Sequence, residues 1–377
     1  MASAPALPEL PQFKGRAGWE FTDISSLDLA AYERVEPVVS GGVSPLWELG
    51  APALPEGVIV GSLDNAPAEL LGSLIGAADD PFVALNDAGE RAGTFVYVPR
   101  GVVISEPISL TAVQARDGTL VNQRTLIVLE AGAQAEVWEQ FLSGDDELDG
   151  VFNIVTELIV GDGAHLRYVC GQGLSEKSWI FGAQRASIGR SGALDWVALG
   201  FGSAGGHVRM ETRLNGEGAD ARVTGAYATR GRQHIDYDTT QEHAAPHTTS
   251  DLAFRGVLQG RSSAVWKGNI IVDPGAQKTD AFQESRNLLI SKRAHADAIP
   301  GLEIQANDVR CTHAAAVAQV DPEQIVYLRS RGLREDVAKQ LVIEGFLSAL
   351  VERFEPGAVR DVLAEALERR LGLVLAG

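Results

Sequence analysis

The feature that most constrains this chain is a turn that keeps coming back. Glu130-Ala131-Gly132-Ala133, Gly161-Asp162-Gly163-Ala164, Arg190-Ser191-Gly192-Ala193, Gly216-Glu217-Gly218-Ala219 and Asp273-Pro274-Gly275-Ala276 share one plan: polar turn residues, then Gly-Ala, then a new β-forming run. The first four Gly-Ala pairs lie 31, 29 and 26 residues apart (132 to 163, 163 to 192, 192 to 218). A unit that short cannot bury its own apolar face, so copies must stack to share one core.

The runs between these turns read as strands. Phe95-Val96-Tyr97-Val98 is followed by a turn at Pro99-Arg100-Gly101, and further strands are expected at 124–129, 153–160, 193–197, 221–224 and 268–272. All are short, rich in β-branched or aromatic residues, and bounded by glycine. From about Phe82 to Val309 there is no long helical pattern. A sandwich or barrel would show similar strands, but the repeat favours a mainly β fold, a right-handed parallel β-helix. The open ends of such a solenoid need covering, a role for the helical pieces on either side.

Those pieces lie at the two ends of the chain. Residues 1–81 read as a mostly helical N-terminal region. Asn65-Ala66-Pro67 starts a helix with Glu69, Leu70, Leu71, Leu74 and Ile75 at helical spacing, and Trp19-Glu20-Phe21-Thr22 can pin the segment to the main body. The β-helix occupies 82–320, and 321–377 is helical. Asp321 is an N-cap, Pro322 sits at N1, Gln324 completes a capping-box pattern and Gly332 ends the first helix. A second helix, about 334–354, carries a stripe of Val337, Leu341, Val342, Leu347, Leu350, Val351 and Phe354, and Pro356-Gly357 breaks it. A third, about 358–371, presents Val362, Leu363, Leu367 and Leu371. Such helices pack on one another or dock a partner, intrachain packing being the commoner outcome.

Composition narrows the function. Fifty acidic against 32 basic residues give a net charge of −18, a surface that repels nucleic acid and anionic membranes. There is no apolar run of transmembrane length, and residues 1–13 lack the basic start and apolar stretch of a signal peptide. Cys170 and Cys311 are too far apart in sequence to imply a disulfide framework, which fits a reducing cytoplasm.

The chemistry on offer is sparse. Cys311-Thr312-His313 places a thiol and an imidazole two residues apart, on one face if the segment is a strand. The pair suits zinc or an iron–sulfur cluster, but two ligands do not close a site; taken alone, a half-buried cysteine beside a surface histidine is the commoner arrangement. His234, His243 and His247, with Asp236, Asp238 and Glu242, sit in a segment where Pro246 argues against a helical metal pair, and a polar loop between coils is expected there. His165, His207 and His295 are isolated, and Cys170 reads as a buried core thiol. Gly200-Phe201-Gly202-Ser203-Ala204-Gly205-Gly206 is glycine-rich but lacks the Lys-Ser/Thr of a phosphate loop.

Three segments then carry a resemblance. They are Thr279-Asp280-Ala281-Phe282-Gln283-Glu284-Ser285-Arg286-Asn287-Leu288-Leu289-Ile290-Ser291, the stretch from Pro300-Gly301-Leu302-Glu303 through Cys311-Thr312-His313, and Tyr327-Leu328-Arg329-Ser330-Arg331-Gly332. Together they closely resemble the SufB/SufD family, scaffold subunits of the SUF iron–sulfur cluster assembly machine. The absence of a cysteine in 279–290, and Ala314 after His313, resemble the SufD branch. The resemblance implies a parallel β-helix between helical regions and a non-catalytic scaffold working with a SufB-like subunit and a SufC-like ABC ATPase. Cys311 and His313 would face the partner where a transient cluster forms. Tyr327, Leu328, Arg331, Gly332 and Leu333 would belong to the ATPase-docking region. A SufB-type subunit or a homodimeric SufB/SufD-like scaffold is the nearest alternative. A β-helix carbohydrate-active enzyme is a remote one, for which the sequence offers no carboxylate cluster.

Overall fold

The computed structural model describes residues 18–38, 45–88 and 92–376, so the start of the chain read above (1–13) lies outside the described residues. In chain order the first strands are β1 (Glu33–Val35), β2 (Ile59–Ser62), β3 (Gly93–Val98), β4 (Ile108–Gln114), β5 (Thr119–Leu129), β6 (Gln134–Ser143), β7 (Gly150–Val160), β8 (His165–Gly173) and β9 (Trp179–Ile188). They continue as β10 (Ala193–Gly200), β11 (Gly205–Leu214), β12 (Asp220–Thr229), β13 (His234–His243), β14 (Thr249–Leu258), β15 (Ser263–Val272), β16 (Asp280–Leu289), β17 (His295–Ile304) and β18 (Arg310–Gln319). The helices are α1 (Pro81–Ala88), α2 (Pro322–Ser330), α3 (Glu335–Val351) and α4 (Ala358–Ala376).

From β3 to β18 the chain alternates between two sheets. Odd-numbered strands stack in one and even-numbered strands in the other, and within this run every pairing is parallel. This is a two-sided β-solenoid of about eight turns. Its lumen holds a large apolar cluster that includes Val137, Tyr168, Trp196, Phe254 and Trp266, with buried polar side chains such as His243 among it.

A column of left-handed residues keeps the coils in step. Gly101, Gly132, Gly163, Ser191, Gly218, His247 and Lys278 have φ between 51° and 72°. Each N–H donates to the carbonyl just before the next member: Gly101 to Ala131, Gly132 to Asp162, Gly163 to Arg190, and so on up to Lys278 to Asp308. The true repeat is therefore set by these positions and not by the Gly-Ala pairs. Ser191 takes the place expected of Gly192, and Lys278 takes the place expected of Gly275. Glycine enters such a position without steric penalty, whereas an L side chain costs ~1–2 kcal/mol there.

The flanking pieces cover sides of the solenoid. On the odd-strand sheet, Trp19, Ile24, Leu27, Leu29, Phe82 and Leu85 pack over Leu120, Val151 and Phe181. Trp19 stacks on Phe82 at 5.3 Å, as the sequence suggested for this segment. On the even-strand sheet, Ile343, Leu347, Leu350 and Phe354 of α3 and its C-terminal turn, with Leu363 and Leu367 of α4, cover Val197, Ala226, Ala253 and Val257.

Three expectations change. The helix expected from Asn65 does not form: residues 67–79 are a chain of turns. Glu157, fully buried, accepts the N–H groups of Gly72 and Leu74, both at 2.9 Å, and pairs with Arg124 at 2.7 Å. A tertiary carboxylate thus takes donors that a helix would use internally. Second, the C-terminal helices lie along a flank and leave the terminal coil open. Third, α3 buries Ala338, Ile343, Leu347 and Leu350, while Val337 and Leu341 of the expected stripe are exposed. The side chain of Leu371 lies outside the described residues.

Candidate site at the open end of the solenoid

β17 and β18 form the last coil. Among the described residues, β17 pairs only with β15 and β18 only with β16. Each leaves a row of backbone groups unpaired, the arrangement that sheets otherwise hide. The coil is open on its faces as well: Leu302 is 37% exposed, Ile304 43% and Val317 43%, and β18 has no buried residue.

Register places the cysteine and histidine. Ala281 pairs with Cys311 and Gln283 with His313. On β16, Ala281, Gln283, Ser285 and Asn287 are the buried, lumen-facing positions. Strand alternation therefore puts Cys311 and His313 together on the lumen side of the mouth, as their spacing predicted. The turn before them is tied to the coil below: Lys278 N–H donates to Asp308 O at 2.6 Å, and Asp308 N–H donates to the Gln277 side chain at 2.9 Å.

The two side chains differ in environment. Cys311 is half-buried against Ile270, Val272, Ala276 and Ala281. Burial, and then the Asp280 carboxylate, push its thiol above the ordinary cysteine range. It is held as a thiol at neutral pH, and a thiolate ligand would form only as a cation arrives. His313 is exposed. Among the described residues no group of three or more His, Cys, Asp or Glu side chains could hold a metal ion. Among the described residues, Cys311 and His313 are thus an incomplete ligand set.

The other sequence clusters disperse. His243 faces the lumen, fully buried, with Nδ1 at 2.8 Å from Thr248 Oγ1 and Nε2 at 2.8 Å from Ser250 Oγ. Burial lowers its pKa to about 4, so it is a neutral core residue on a strand and not part of a polar loop. His247 is the left-handed turn residue of its coil. His234 bonds Ser263 at 2.8 Å, Asp238 pairs with Lys267 at 3.3 Å and Glu242 with Arg213 at 3.4 Å. Cys170 is buried, its thiol pushed up to about 12 by burial. In the glycine-rich stretch, a Cβ on Gly202 would come within 2.1 Å of Leu174 O, so close coil stacking accounts for that glycine.

One polar constellation was not visible in sequence. Thr22 Oγ1 donates to Asp236 Oδ2 at 2.8 Å, and His207 Nδ1 lies 3.1 Å from the same oxygen beneath the Trp19 ring. Burial alone would lower the His207 pKa, but Asp236, with Asp238 and Asp80, outweighs it and raises it. The group clamps the N-terminal strap onto β11 and β13. Only the fold brings residue 22 to residue 236.

The helical site residues are separate from this end. Tyr327 is 58% exposed beside Val326 at 63%, and the Arg331 guanidinium lies 5.2 Å above the Tyr327 ring. Asp321 caps α2 through the Glu323 N–H at 2.9 Å, and Gly332 ends it at φ 92°. Leu328 and Leu333 are half-buried.

Comparison with known proteins adds the following. The family described as "SUF system FeS cluster assembly, SufBD core domain" matches residues 111–346, and "SufBD protein N-terminal region" matches residues 38–110. The iron–sulfur cluster assembly protein SufD of Bacillus subtilis is 33% identical over 290 residues, covering 76% of this chain and 66% of that protein. A SufBD family protein of Mycobacterium tuberculosis is 30% identical over 306 residues, covering 78% and 75%. One from Synechocystis is 26% identical over 390 residues, covering 93% and 86%.

Proposed function

This chain belongs to the SufB/SufD family of iron–sulfur cluster assembly proteins, and from that premise we propose that it is a SufD-like, non-catalytic scaffold subunit. Its terminal coil pairs with a SufB-like subunit. Its C-terminal helices dock a SufC-like ABC ATPase. Cys311 and His313 belong to the shared surface where a nascent cluster is built or passed on.

One observation carries the reading. The coil that leaves two strand edges and four large apolar side chains open is the coil that holds Cys311 and His313. An exposed edge favours strand addition, so a second solenoid placed there would cover apolar surface and bring its own ligands to an incomplete site. The cluster is cargo in this scheme, held between subunits and not resident in the chain. At the other site, Val326, Tyr327, Val337 and Leu341 give the helical region an exposed apolar surface beside Arg331, of the kind that marks a protein contact.

The test is His313→Ala in the reconstituted complex. Subunits should still co-purify, because the exposed imidazole supports no packing. Cluster formation, followed by visible absorbance, should fall by about tenfold or more, as for loss of a group that orders a metal site. Full cluster formation in the variant would remove His313 from the site. Co-purification with an ATPase but no second solenoid subunit would move the reading to a homodimeric scaffold.

A further inference from the structure

Beneath the open mouth the lumen changes chemistry. The coil of β14 fills three columns with Leu252, Phe254 and Gly256. The next coil fills the same columns with Gln283, Ser285 and Asn287, which are 0%, 0% and 2% exposed. Buried polar groups are costly unless paired. Asn287 and Ser285 have partners: Asn287 Oδ1 accepts from the Tyr227 hydroxyl, and its Nδ2 lies 3.4 Å from Ser285 Oγ.

Gln283 is only half satisfied. Its Nε2 donates to Gly301 O at 3.1 Å and Gly268 O at 3.4 Å. Those carbonyls fix the amide's orientation, since the reverse would set oxygen against oxygen. Oε1 is then the free acceptor. It lies beside Gly268, where an added Cβ would meet it at 2.7 Å, and it has no partner among the described residues. The next residue up this column is His313, one strand spacing of ~4.8 Å away, on the same face and exposed.

We propose that Gln283 is the positioning residue for His313. With the imidazole turned into the mouth, Gln283 Oε1 accepts one ring N–H. That bond selects the tautomer and leaves the other nitrogen's lone pair facing outward, toward iron arriving with the partner subunit. Histidine ligands are oriented in this way by an acceptor on the non-ligating nitrogen. The inference rests on the role given to His313 above and adds what holds it. The competing donor for Oε1 is the Trp266 indole N–H, itself unpaired, on a ring whose benzo edge lies beside Gly268.

The experiment is ring-nitrogen NMR of the full chain labelled with 15N-histidine, iron-free and without partners, at one alkaline pH, with the His313 signal assigned by its loss in H313A. Its outcome is thereby independent of whether a cluster forms at His313. Wild type should show a single neutral tautomer. Gln283→Leu should give the mixed pattern of a free imidazole, and so should Gln283→Met, which keeps the side chain's length but carries no amide acceptor. Trp266→Phe, which removes the competing donor and keeps a smaller aromatic ring in the core, should leave the wild-type pattern. A mixed pattern in wild type, or an unchanged one in Gln283→Leu, overturns the proposal. Should Gln283→Leu fail to fold, the Met and Trp266→Phe variants decide it: a single form kept in Gln283→Met, or lost in Trp266→Phe, overturns it equally.

Discussion

Strands β14 and β18 are equally long and lie two coils apart in the same sheet, yet their surroundings are opposite. β14 pairs with β12 on one side and β16 on the other, and its outer face lies under α3. β18 has one neighbour, no helix over it and no buried residue. Alternating side chains make a strand; a second neighbour and a covering layer make it part of a core. The inner coils are thus paired on both sides, whereas among the described residues the last one keeps an open edge, the surface to which the proposed function assigns a partner.

Volume loss should expose this contrast most strongly. Phe254→Ala empties a fully buried lumen position and should cost ~3–5 kcal/mol of unfolding free energy. Val317→Ala on β18 should change the isolated chain by less than ~0.5 kcal/mol. Denaturant unfolding of both variants checks this. A comparable loss in Val317→Ala would mean that the free chain already buries its last coil.

Acid should act on the inner coils and spare the outer one. His243 has a folded pKa of about 4, below the ordinary histidine value of ~6.5. The unfolded chain therefore binds the proton first, and stability falls as pH drops from about 6.5 toward 4. The loss should reach ~2 kcal/mol at pH 5 and level off near ~3 kcal/mol. Urea unfolding at pH 7 and pH 5 measures it, and His243→Gln should flatten the dependence. An equally steep profile in that variant would put the titrating group elsewhere.

The smallest stability effect is expected on the helical flank. Tyr327→Ala with Leu341→Asp alters only exposed positions and should shift unfolding by no more than ~0.5 kcal/mol. Recovery of the ATPase in a pull-down should nevertheless be lost. Normal recovery would make α2 and α3 a flank cover and nothing more.

Some of this was readable in one dimension for definite reasons. Short β-branched runs between glycine turns about 30 residues apart require stacking, because no single unit can close a core. Asp321 and Gly332 mark the ends of α2 because capping is local chemistry. Cys311 and His313 share a face because strand period is local too. The N-terminal helix was misread because its N–H groups go to Glu157, more than 80 residues away. The register of the turns was misread because Ser191 and Lys278 adopt a conformation that sequence assigns to glycine. Val337 and Leu341 looked like core because a helix with apolar residues on several sides does not say which side its partner will take.

By itself, then, the sequence determined that strands would form, that they would stack, and that a thiol and an imidazole would share one face of a strand near the end of the solenoid. Only the tertiary structure decided which coil would be left open, that Gln283 would lie under His313, and that Thr22 would reach Asp236 across the molecule. Strand, turn and cap preferences act over a few residues and can be read along the chain. Exposure, pairing and the orphaned acceptor depend on which coil is placed against which, and that is settled only when the whole solenoid closes around its core.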